Sequence, residues 1–97
     1  MHNKHAEILA FVQHAKSRTP ALVVRDYWSD DPSAIGMVNP ALRRRLAYVR
    51  VTSGRFFYEL ESGDIEAGEY RVVGSKNDVS FDACLTEVVA FLQASST

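Results

Sequence analysis

The sequence predicts a two-layer α+β fold, an antiparallel meander of about four strands with N- and C-terminal helices packed on one face. Three observations carry that expectation. Residues 46–61, LAYVRVTSGRFFYELE, alternate with a period of two on both sides of Ser53-Gly54, as a half-buried hairpin does. Apolar residues recur at helical spacing near both ends of the chain. The segments between the strands carry short turn signals, which favour a meander.

The first element is a helix over residues 4–16. Ile8, Phe11, Val12 and Ala15 form its apolar stripe, widened by Leu9, and Asn3 is placed to cap it. His14, Lys16 and Arg18 lie at the end where the helix dipole favours positive charge. Thr19-Pro20 stops the helix, because a residue before proline avoids the helical region. Residues 21–28, ALVVRDYW, are β-branched and aromatic and read as a strand with two nearly balanced faces. Residues 29–39, SDDPSAIGMVN, are dense in turn formers and read as a long connection of the kind that is functional or mobile.

Asn39-Pro40 has the form of an N-cap followed by proline at the first helical position. Residues 40–46 are therefore either a helical turn or an early start of the next strand; the expectation is a short turn giving way to strand near Arg45. Folding 46–61 at Ser53-Gly54 then sets Val51 against Phe56, Val49 against Tyr58 and Ala47 against Leu60. A one-residue slip would scramble both faces, so the alternation specifies the register. The opposite face carries Tyr48, Arg50, Phe57 and Glu59, turned to solvent or to a partner. A further strand is expected within residues 65–74, with Gly68 marking a bulge or break and residues 74–78, GSKND, forming a loop. Ser80 should cap a final helix over residues 81–93, whose stripe of Phe81, Cys84, Leu85, Val88 and Leu92 calls for deep packing.

At 97 residues the chain makes one domain, residues 1–97, able to bury roughly two-thirds of its unfolded surface. A hydrophobic content of 46% is too high for disorder. The lone Cys84 excludes an internal disulfide, and a reducing cytoplasm is the simplest setting. The N-terminal stretch has too short an apolar run for a signal peptide, and no stretch is long enough to span a bilayer, so no membrane association is expected. The net charge of −1 argues against a general polyanion binder. Charge is nevertheless segregated: residues 43–55 hold five arginines and no acid, and residues 59–69 hold five acids and no base.

No constellation of residues announces catalysis. His2, His5 and His14 have no partners at a metal-ligand spacing, so no metal or other cofactor is expected. Cys84 lies on an apolar helical stripe, where a thiol packs rather than reacts. Asp26, Asp30 and Asp31 match no calcium loop, lacking its ligand alternation and closing glutamate. With Trp28 beside them, they suit protein recognition: an aromatic anchor flanked by acids. Arg43, Arg44 and Arg45, with Tyr48 and Phe57 on the sheet, could instead serve a small RNA-binding domain. Against nucleic acid stand Glu59 on the same face, the acidic run and the lack of an RNP-type motif.

The AYVRV strand, the GRFFYELESGDIE stretch and the final VSFDACLTEVVAFL helix resemble small cytoplasmic immunity proteins that neutralise antibacterial toxins, most nearly the TriTu type. The resemblance covers the C-terminal half; the 29–39 connection and the arginine run are not part of it. It implies a stoichiometric inhibitor of a toxin domain rather than an enzyme. A phage-encoded inhibitor of a host defence complex fits the same residues. The partner is expected at Trp28, Asp30 and Asp31, and along the acidic edge of Glu59, Glu61 and Asp64. The sequence leaves the oligomeric state open.

Overall fold

Residues 3–42, 44–64 and 67–93 are described by the computed structural model. Among them, β1 (Val23–Arg25), β2 (Ala34–Val38), β3 (Arg45–Thr52), β4 (Arg55–Asp64) and β5 (Glu69–Val79) form one open antiparallel sheet in sequential order. Helices α1 (Ala6–Arg18) and α2 (Phe81–Gln93) precede and follow it, and a single 3₁₀ turn occupies Pro40–Leu42. The fold is the expected α+β meander with one strand more than anticipated.

The β3–β4 hairpin forms in the register that its alternation demands, with Ala47 opposite Leu60, Val49 opposite Tyr58 and Val51 opposite Phe56. Ser53 and Gly54 both have positive φ, 51° and 77°, as a two-residue turn that follows strand twist requires. Val49, Val51, Phe56 and Tyr58 point into the core together with Ile35 and Met37 of β2. Both helices cover this face. Ile8, Phe11, Val12 and Ala15 of α1 and Cys84, Leu85, Val88 and Leu92 of α2 are all buried there. The rings of Phe11, Phe56 and Phe81 meet with centroids 5.5–5.6 Å apart and tie both helices to β4.

Four expectations need correction. Residues 29–39 are not one connection: they contain β2, all five residues of which are buried. Strand β1 is shorter than residues 21–28, because the chain turns away after Arg25 to pass over the sheet. Residues 74–78 are not a loop. They continue β5, an edge strand that accommodates them through register shifts opposite Phe56–Tyr58 and Leu60–Glu61, with Asp78 at φ 57°. Finally, α1 starts at Ala6 rather than Lys4 and has no side-chain cap, because the side chains of Asn3 and Lys4 are used elsewhere.

The expected short helical turn is present at Pro40–Leu42, and strand begins at Arg45. The Asn39 side chain accepts a bond from Ala41 N–H at 3.0 Å, capping Pro40–Leu42, and donates to Leu92 O at 2.8 Å. Ser80 caps α2 through its hydroxyl, which accepts from Ala83 N–H. His2, Arg43 and Ile65 lie outside the described residues.

Candidate functional site

With both helices on one face, the other face of the sheet must be satisfied by loops or by polar residues. On β3 and β4 that face carries Tyr48, Arg50, Phe57, Glu59 and Glu61, by the alternation of the hairpin. Strand β2 contributes Gly36 opposite Tyr48, and the register of β5 adds Tyr70 and Val72 opposite Gly63 and Glu61.

The segment between β1 and β2 folds back over this face. Trp28 lands on Gly36 and Tyr48. A side chain at Gly36 would put its Cβ 2.6 Å from the Trp28 ring and 2.6 Å from Arg25 O, so glycine is required for the indole to sit there. The Trp28 and Tyr48 rings are 4.6 Å apart, Tyr48 and Phe57 are 6.1 Å apart, and Tyr27 packs edge-on against Trp28 at 5.7 Å. The Arg50 guanidinium lies 5.3 Å from the Phe57 centroid, a cation–π arrangement. The result is an aromatic row from Tyr27 through Trp28 and Tyr48 to Phe57. Tyr48, expected to be open to solvent or a partner, is on the expected face but only 8% exposed, because Trp28 and Phe57 flank it. Burial pushes the Tyr48 hydroxyl pKa above its ordinary value.

The residues singled out from the sequence fall into two groups. Trp28 is half-buried, Asp30 is exposed, and Asp31 is engaged within its own loop. The Asp31 carboxylate accepts from Ser33 Oγ at 2.6 Å and Ser33 N–H at 2.9 Å. These bonds, with smaller help from Lys4 and Arg50, hold its pKa below the usual aspartate value. Glu59 and Glu61 are half-buried on the same face as the aromatic row, and Asp64 is exposed at the end of β4. Among the described residues neither Glu59 nor Glu61 makes an ion pair. The Glu61 pKa is raised, first by desolvation and then by the nearby Glu59. Just beyond the acids, Tyr70 and Val72 are 37% and 50% exposed.

Of the arginine run, Arg44 and Arg45 are described, and they are placed differently. Arg45 donates to Phe91 O at 2.9 Å and lies 5.3 Å from the Phe91 ring, tying β3 to the end of α2. Arg44 is exposed, and its carbonyl accepts from Gly63 N–H. Cys84 is fully buried, and desolvation pushes its thiol up to about 12. A groove of about 280 Å³ between β5 and α2 is lined by Tyr58, Lys76, Asp82 and Glu87 among others. Among the described residues no three His, Cys, Asp or Glu side chains gather as a metal site, and no helix is long and apolar enough to cross a membrane.

Part of this face escaped sequence reasoning. Tyr70 and Val72 read as ordinary alternating strand residues, and their exposure depends on β5 being an edge strand. No family model, curated protein or solved structure matches the chain.

Proposed function

We propose that this chain is a non-catalytic protein-binding inhibitor that acts stoichiometrically, as an immunity protein acts on a toxin domain, and that it binds through the helix-free face of its sheet. The observation that carries this reading is the aromatic row over that face. Trp28 and Phe57 offer large, rigid contact area at low entropic cost, and Tyr27, Tyr70 and Val72 extend it as exposed apolar surface. Asp30, Glu59, Glu61 and Asp64 border it. Glu59 and Glu61 are partly desolvated and have no cation among the described residues, so an arginine or lysine from a partner would compensate them. Such cationic side chains are what a toxin uses to hold an anionic cofactor or nucleic acid. No cofactor enters this reading.

The reading is tested by titrating the chain against a toxin domain encoded by a neighbouring gene, where its genome carries one. A one-to-one complex should form, and toxin activity should fall in proportion to added chain and vanish at equivalence. Protection at far below equimolar amounts would point to turnover and overturn the inhibitor reading. Salt-sensitive binding to bulk RNA, with no protein complex, would replace it with the RNA-binding alternative.

A further inference from the structure

The loop that presents Trp28 is held from one side by three consecutive residues ahead of α1. Asn3 Nδ2 donates to Ser29 O at 2.7 Å, and His5 N–H donates to Pro32 O at 2.9 Å. Between them the Lys4 ammonium reaches Trp28 O at 2.9 Å, Asp31 O at 2.7 Å and Ala34 O at 2.7 Å. Asp26 Oδ1 stands 3.0 Å from the same nitrogen, and the Lys4 side chain has no solvent exposure.

The three carbonyls converge for a reason local to the loop. Asp31 N–H donates to Trp28 O, and Ala34 N–H donates to Asp31 O, so two successive i to i+3 turns run through residues 28–34. Carbonyls three residues apart in such turns point the same way, as at the C-terminal end of a helix, and their partial negative charges add. An alkylammonium carries three N–H donors, one for each carbonyl, and the Asp26 carboxylate balances its charge. A guanidinium is planar and too broad to place three donors on one point.

We propose that residues 26–34 form a built alkylammonium site, that Lys4 is its occupant supplied in cis, and that this occupancy holds Trp28 over Gly36 and Tyr48. Lys4 is then the residue that positions the aromatic row. The consequence for partner binding rests on the protein-binding reading above; the lock does not.

The lock is tested on the isolated protein with Lys4→Ala, which removes both stem and charge, and with Lys4→Met, which keeps an apolar stem to fill the space. Hydrogen exchange at the Asp31 and Ala34 amides and the emission of Trp28, the sole tryptophan, report the loop. Amides of the β3–β4 hairpin report the sheet. In both variants the loop amides should exchange about tenfold faster or more, the scale of one lost charge-assisted hydrogen bond, with Trp28 emission shifted to the red and the hairpin still protected. Adding n-butylammonium chloride to Lys4→Ala should reverse both loop signals saturably. Tetramethylammonium chloride at the same ionic strength, having no N–H donor, should not. The proposal is overturned by unchanged loop exchange in both variants, by equal effects of the two ammonium salts, or by loss of hairpin protection in step with the loop in both variants. Weakened affinity for a protein partner should accompany the loosened loop. Unchanged affinity alongside a confirmed lock would count against the binding face and not against the lock.

Discussion

Phe56 is the side chain on which the sheet and both helices converge. Its ring is 3% exposed and meets Phe11 and Phe81 at 5.6 and 5.5 Å. Removing it leaves a cavity bounded by three elements that cannot all close in, so Phe56→Ala should destabilise by about 3–5 kcal/mol. That is a large share of the roughly 5–15 kcal/mol available to a domain, and a denaturant midpoint shifted at unchanged m-value would measure it. Cys84 makes a second prediction at this scale. Its thiol, raised to about 12 by burial, should resist alkylation at pH 8 in the native state and react only as fast as the protein opens. The same shift has a sign for stability. The buried neutral thiol contributes fully below the unfolded value of 9.0, and that contribution is lost as pH climbs toward the folded value of about 12. Labelling that matched an exposed thiol at pH 8 would show that Cys84 is not in this core.

The 26–34 loop is held in place by polar bonds as well as by the packing of Trp28. Asp31 contributes to it from inside, through its two bonds to Ser33. Its folded pKa lies below the ordinary 3.8, so the stability it adds is present above that value and is lost as pH falls through the lower folded value. Trp28 emission followed from pH 5 to pH 2 should therefore show a loop transition below pH 3.8, one that Asp31→Asn abolishes. A transition centred above 3.8 would mean that the Ser33 bonds do not favour the ionised form. Strand β5 contrasts with this loop. It is eleven residues long and unpaired on one side, and its bulges and charged residues Glu69, Arg71, Lys76 and Asp78 are the devices by which exposed edges avoid pairing with other chains. Its helix-free face, through Tyr70 and Val72, remains available to a partner.

At the scale of the whole molecule the two faces divide the labour. One packs against the helices, and the other gathers aromatics with acids that make no ion pair among the described residues. Charge on the second face should govern association more than dissociation, because complementary fields steer encounter. Asp30→Lys combined with Glu59→Lys should slow association with a protein partner by about tenfold at low salt, with the effect shrinking as salt screens it. Arg43→Glu with Arg44→Glu should leave association nearly unchanged, because the proposed interface draws on the acids of this face and not on the arginine run. The opposite result, with affinity kept in the acid variant and lost in the arginine variant, would move the interface to the arginine run. Asp30 is preferred to Asp31 for this measurement because Asp31 also holds its own loop together.

Much of this architecture was legible in the sequence. The β3–β4 register follows from a period of two that only one pairing satisfies, and the α2 boundaries follow from a wide apolar stripe behind a Ser80 cap. These are local signals, repeated along several residues. Strand β2 was hidden because AIGMV is buried on both faces, so it shows no alternation, and because its central Gly36 reads as a turn former. The end of β5 was hidden because an edge strand with bulges tolerates residues that would break a central one. The start of α1 was misplaced because Asn3 and Lys4 bond to a loop 24–30 residues away. The candidate site divides in the same way. Its individual members, Trp28 beside acids and Tyr48 and Phe57 on one sheet face, are written in the chain. Their union is not, because it depends on a loop crossing the sheet, on a glycine that leaves room for an indole, and on a buried ammonium that fixes where the indole rests. Periodicity encodes which face a residue occupies, whereas contacts between distant segments arise only when the chain has folded.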